Sequence, residues 1–217
     1  MSRVAVEPGM LAWARERAGR SVESLAAAFP KLATWEAGAA QPTLKQLEAF
    51  ANAVHVPIGF LFLHEPPEEP LPIPDLRTIA DQPLARPSPD LLDTLYLCQQ
   101  RQDWYRDFAL QMGEEPLAFV GSARVGDDVV RVAAAMREAL GFDLEARRRM
   151  PTWTDALRRF IEQADALGVL VMVSGVVGSN NRRRLDPQEF RGFALADSLA
   201  PLVFVNGADT KAAQMFT

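Results

Sequence analysis

The sequence predicts an α+β protein: an all-helical bundle first, then helices packed on a small three-stranded, at least partly antiparallel sheet. Three observations carry that reading. Residues 1–64 hold short apolar segments at helical spacing, each with its own stop and start residues. Residues 65–89 hold eight prolines in 25 positions, which excludes a helix or a central strand. Between 169 and 205 three short continuous apolar runs replace the helical period. The organisation read from these features is a helical module at 1–64, a proline-rich strap at 65–89 and a mixed module at 90–217.

Within the first module, Pro8 opens a helix whose Met10, Leu11, Ala14 and Ala18 share a face until Gly19. Ser21 caps a second helix, with Val22, Leu25, Ala26 and Phe29 inward before Pro30. Lys31 to Ala37 forms a short third helix closed by Gly38, with Trp35 paired to Leu32 in the core. Pro42 and Thr43 open a fourth, with Leu44, Leu47, Phe50 and Ala51 inward, and Pro57 opens a fifth.

The strap favours extended chain. Leu71, Ile73 and Leu76 alternate with prolines and acids, which suits a segment docked on a neighbour better than a free tether.

In the last module, Ser88 and Pro89 open a long helix over 90–112, with Leu91, Leu95, Cys98, Tyr105, Phe108, Ala109 and Met112 on one face and Gln99, Gln100, Arg101 and Gln102 outside. A second helix starts near Asp127 and Asp128 and turns Val129, Val132, Ala133, Met136 and Leu140 inward. A third runs from Thr152 to about Leu167, with Trp153, Ala156, Leu157, Phe160, Ile161 and Ala164 inward. The strands follow at 169–173, 192–196 and 202–205, the last two close enough to form an antiparallel hairpin. Arg182, Arg183 and Arg184 fall in a loop, as do Arg147, Arg148 and Arg149. After Asn206 and Gly207, Asp209 is read as the N-cap of a helix that turns Ala212, Ala213 and Phe216 inward.

Composition narrows the function classes. The chain of 217 residues is 48% hydrophobic and 24% charged, with no apolar run long enough for a membrane span and no signal-peptide core at its start, so a cytoplasmic location is expected. A single cysteine, Cys98, excludes an internal disulfide and a two-cysteine zinc site; it is read as a small buried hydrophobe. Residues 1–64 carry six Lys/Arg and five Asp/Glu, while residues 65–217 carry 17 and 23. With a net charge near zero on the first module, DNA affinity has to come from a local patch.

The phrases Ser21-Val-Glu-Ser-Leu-Ala, Trp35-Glu-Ala-Gly38 and Gln41-Pro-Thr-Leu-Lys-Gln-Leu47 resemble the helix-turn-helix of the XRE/Cro regulators. That resemblance implies DNA contact through Lys31 and Thr34 in the groove, with Gln41 and Lys45 on phosphate. The segment between Ala26 and Trp35 is about four residues shorter than the family pattern, so weak, salt-sensitive binding is the expectation.

In the last module, PTWTDALRRFIEQADALGVLVMVSG, EFRGFALAD and VFVNGADTKAAQMFT resemble the ImmA/IrrE metallopeptidases, and LPIPDLRT resembles the connector of fused members. In that family a zinc-binding His-Glu-x-x-His helix follows almost at once. Here the only histidines are His55 and His64, so no catalytic residue and no metal ligand are assigned, and zinc is expected only with a downstream helix.

The reading is therefore a regulator combining a degenerate helix-turn-helix with an incomplete metallopeptidase-like domain. Its competitors are an excerpt of a zinc endopeptidase that cleaves a regulator, and a protein-interaction module without DNA binding. Expected partners are DNA, weakly, and a protein partner or a second copy through the C-terminal end, with no membrane.

Overall fold

A computed structural model of the chain describes residues 3–69, 73, 76–78 and 87–217. It forms two compact units, one from Met1–Leu71 with Arg86–Pro89, the other from Pro72–Ala85 with Asp90–Thr217. The α+β class holds, with the helical part first.

The first unit contains α1 (Pro8–Arg17), α2 (Val22–Leu25), α3 (Leu32–Glu36), α4 (Leu44–Ala53) and a 3-10 helix (Ile58–Phe62). Each start has a visible cause. Pro8 sits where its missing N–H costs nothing. The Ser21 side chain accepts from the Ser24 backbone N–H. Thr43 and Gln46 satisfy each other's backbone donors in a capping box. Gly38 ends the α3 region at a φ of 71°, a conformation glycine adopts without strain. Leu11, Leu25, Leu32, Trp35, Leu47 and Phe50 meet in one core, where Phe29 packs edge-on against Phe50. Each such fully buried side chain contributes about 1.5–3 kcal/mol. Leu44 differs from expectation: it lies at the first turn of α4 and is exposed.

The second unit opens with β1 (Leu76–Arg77), followed by α5 (Pro89–Met112), α6 (Val129–Ala139), α7 (Leu144–Arg148) and α8 (Trp153–Ala166). Then come β2 (Leu170–Ser174), β3 (Val176–Val177), β4 (Asn180–Arg184), β5 (Gly192–Leu195), β6 (Leu202–Asn206) and α9 (Lys211–Phe216). The sheet has the order β1-β5-β6-β2. The three expected strands are present, with β5 and β6 antiparallel and β2 parallel to β6. The strap adds a fourth: Leu76 and Arg77 pair antiparallel with Phe193 and Gly192 at the sheet edge. The expectation for Leu71, and for the rest of the strap at 70–72, 74, 75 and 79–86, lies outside the described residues.

Both sheet faces carry a helix. On one, Phe190, Phe193 and Phe204 stack, with Phe193 and Phe204 centroids 5.0 Å apart. On that same face the Cys98 Sγ of α5 lies 3.8 Å from the Met172 Sδ. Cys98 is buried as expected, and burial pushes its thiol up to about 12. The opposite face meets α8 and α9, and Gly192 is required there. A Cβ at that position would stand 2.4 Å from the Phe204 carbonyl oxygen and 2.6 Å from the Thr217 Cγ2.

Several expectations are corrected. Gln102 is not an outer residue of α5 but is 6% exposed, donating through Nε2 to the Leu195 and Ala200 carbonyls at 2.9 and 2.8 Å. Phe108 and Met112 are exposed instead, while Ala109 between them is fully buried. In α6, Val129 and Met136 are exposed and no residue of the helix is buried. Trp153 is partly exposed at the first turn of α8. The arginine run at 182–184 is not a loop: it belongs to the β3-β4 hairpin, and the half-buried Arg183 bridges Asp90 at 2.6 Å and Asp93 at 2.7 Å. Arg147 and Arg148 lie in α7. Among the described residues, no helix is long and apolar enough to cross a membrane.

Candidate functional site

The residues assigned to DNA contact all lie in the first unit. Burying Leu32 and Trp35 fixes the rotation of α3, and that rotation turns Thr34 outward. Lys31 precedes the helix and is exposed, three residues from Thr34 and therefore on the same side of the turn. Lys45 is exposed on the first turn of α4.

Gln41 occupies a different setting. It is partly buried; its Oε1 accepts from the Val6 N–H at 3.2 Å and its Nε2 donates to the Val6 carbonyl at 3.4 Å. The amide thus pins the N-terminal segment, helped by Val4 N–H donating to the Pro42 carbonyl at 2.9 Å. The structure therefore brings Lys31 and Thr34 together on one short helix, while Gln41 serves the backbone.

The charge around α3 is set by an ion pair that the sequence does not display. Arg15 of α1 donates from Nε and Nη2 to both carboxylate oxygens of Glu36, at 2.7 and 3.1 Å. The Glu36 carboxylate raises the Arg15 pKa above its ordinary value, chiefly through the hydrogen bond, against the opposing cost of burial. This fork pairs the acid at the end of α3 and ties α1 to α3. Arg20, exposed in the turn before α2 with its Nε 3.3 Å from the Ser24 hydroxyl, is a further cation beside the helix pair. Its position between two helices was the available signal.

The other candidate is the strand-turn-helix from β6 to α9. Asn206 is fully buried, donating to the Phe190 carbonyl at 3.0 Å and accepting from the Ala208 N–H. The N-cap is Thr210 and not Asp209; its hydroxyl accepts from the Ala213 N–H at 3.2 Å. Gln214 is the buried residue of α9, its Nε2 donating to the Gly207 and Asp209 carbonyls. Phe216, expected inward, is 78% exposed, with its ring 5.5 Å from that of Trp153.

The donors on α9 are neutral amide and hydroxyl groups with one lysine, which do not fit zinc. His64 is exposed in the first unit near Glu7, and His55 follows the C-cap of α4 there at a φ of 53°.

A scan against protein-family models gives no match, and searches of curated proteins and of solved structures give none either.

Proposed function

We propose that the chain is a cytoplasmic regulator whose first unit contacts DNA weakly and whose second unit is a protein-recognition body. The observation that supports it is the outward pairing of Lys31 and Thr34 on a helix whose opposite side is locked in the core by Leu32 and Trp35. Arg20 and Lys45 are further exposed cations of the same unit, and the Arg15–Glu36 fork pairs the acid at the end of α3. The resemblance to XRE/Cro regulators points the same way. Because α3 has only five residues, few side chains reach base edges, so phosphate contact dominates and affinity falls steeply with salt.

The test is fluorescence anisotropy with a mixed-sequence duplex across a salt series. Binding at low salt is expected, and Lys31→Glu with Lys45→Glu lowers the magnitude of the log–log salt slope by roughly one per lysine. Binding unchanged by the double substitution, or tight sequence-specific binding at physiological salt, refutes this reading. A protein-interaction module is the second reading. It is favoured by the shortness of α3 and by the commitment of Gln41 to Val6, and it predicts no duplex binding even at low salt.

A further inference from the structure

The two edges of the sheet are treated differently. The β5 edge is paired by β1. At the other edge lies β2, with the sequence Leu-Val-Met-Val-Ser. Its register with β6, anchored by Leu170 N–H to the Pro201 carbonyl and Gly207 N–H to the Ser174 carbonyl, directs the backbone groups of Leu170, Met172 and Ser174 inward. The alternation of a strand then directs the N–H and C=O groups of Val171 and Val173 outward. Among the described residues no strand pairs with this side.

Beside that edge, on the α8 face, is a groove of about 320 Å³ lined by Leu157, Ile161 and Val173, with Arg158, Lys211 and Glu162 at its rim. Val173 is 39% exposed, so the floor of the groove is continuous with the open edge. The rim is unevenly charged. Glu162 lies 3.4 Å from Arg159. Among the described residues, Lys211 contacts the neutral Gln214 amide at 3.1 Å and has no ion-pair partner, and Arg158 has none either. The uncompensated charge is thus two cations beside an apolar floor.

We infer that β2 is a docking edge for an extended acidic peptide, which adds as a fifth strand, places an apolar side chain against Leu157, Ile161 and Val173, and an acidic one by Arg158 or Lys211. The spacing follows from the strand itself: alternate side chains face the groove, so the apolar and acidic residues stand two apart. Main-chain hydrogen bonds to Val171 and Val173 supply affinity, and the groove and its cations supply selection. A second copy of this chain suits the edge less well, because its own β2 carries no acid.

The experiment measures anisotropy of a fluorescein-labelled peptide, Ser-Val-Ser-Glu-Ser-Val, with the full chain. Saturable binding is expected. Arg158→Glu weakens it several-fold, as does replacing the peptide glutamate by lysine. Val173→Pro removes an outward N–H at a place where an edge strand tolerates proline, replaces the valine side chain on the groove floor as well, and weakens binding about tenfold. Should that variant unfold, a peptide N-methylated along its backbone makes the same deletion on the ligand and also loses binding.

No saturable binding overturns the inference, as does binding indifferent to N-methylation or to the sign of the peptide charge. A concentration-dependent dimer that Val173→Pro abolishes and the peptide does not displace assigns the edge to a second copy and overturns it too.

Discussion

Replacing Gln102 by leucine deletes a hydrogen-bonding amide from the interior while keeping side-chain volume nearly constant. In the native chain its two Nε2 hydrogens satisfy the Leu195 and Ala200 carbonyls, at the end of β5 and in the turn before β6. The site is closed, with Gln102 only 6% exposed and Ala200 fully buried, so water does not replace the amide. Each orphaned buried acceptor costs about 1–3 kcal/mol. The added apolar contact of leucine offsets about 1 kcal/mol. The expected net loss is roughly 1–5 kcal/mol, a large share of a typical domain's stability. Urea unfolding of the full chain is read best by circular dichroism together with tryptophan emission, because Trp104 and Trp153 report the second unit while Trp13 and Trp35 report the first. Only the second-unit transition moves to lower urea. If the midpoint of that transition is unchanged, or if Gln102→Leu stabilises it, the claim that this amide holds the β5–β6 connection is wrong.

Two further outcomes follow from the same unit. Burial opposes ionisation of Asp197, but backbone N–H groups of Leu199 and Ala200 and the Arg106 guanidinium at 2.6 Å outweigh it and hold the carboxyl below its ordinary value. That stabilisation is complete above the ordinary aspartate value of about 4 and is lost as pH falls through the lower folded value; Asp197→Asn therefore costs stability at neutral pH, by a margin that shrinks in acid when melting temperatures are compared. Gly192→Ala places a methyl against the Phe204 carbonyl and destabilises by about 1–3 kcal/mol or more, checked by the same urea titration; an unchanged midpoint refutes the close approach.

What was legible in the sequence is what local chemistry decides. Pro8, Ser21, Thr43 and Gly38 mark the helices of the first unit because a missing N–H, a hydroxyl acceptor and a positive φ act within one turn. Strands β2 and β6 were legible for a similar reason: runs rich in valine suit a pleated, half-buried surface. The β3-β4 hairpin was not. Asn-Asn-Arg-Arg-Arg has little intrinsic strand preference, and the acids that seat Arg183 come from α5, about ninety residues earlier. Gln102 and Gln214 look like surface residues until the carbonyls they serve are brought to them by the fold. For the candidate interface, burial of Leu32 and Trp35 made the outward direction of Thr34 readable, whereas the use of Gln41 depends on Val6, 35 positions away.

The open β2 edge raises a question of cause that the cations beside it help to answer. An unpaired Leu-Val-Met-Val-Ser edge is an aggregation hazard, and proteins blunt such edges with lysine, proline or a covering element. Strand β2 itself contains none of these. The cations that line the groove beside it, Arg158 and Lys211, come from α8 and α9 and stand over an apolar floor. Cations that act only as a guard repel another copy by their charge, so making both neutral raises self-association and leaves peptide affinity unchanged. Cations that grip a ligand lose peptide affinity when neutralised. Measuring both quantities on Arg158→Gln with Lys211→Gln separates the two roles, and the placement over Leu157, Ile161 and Val173 favours the grip.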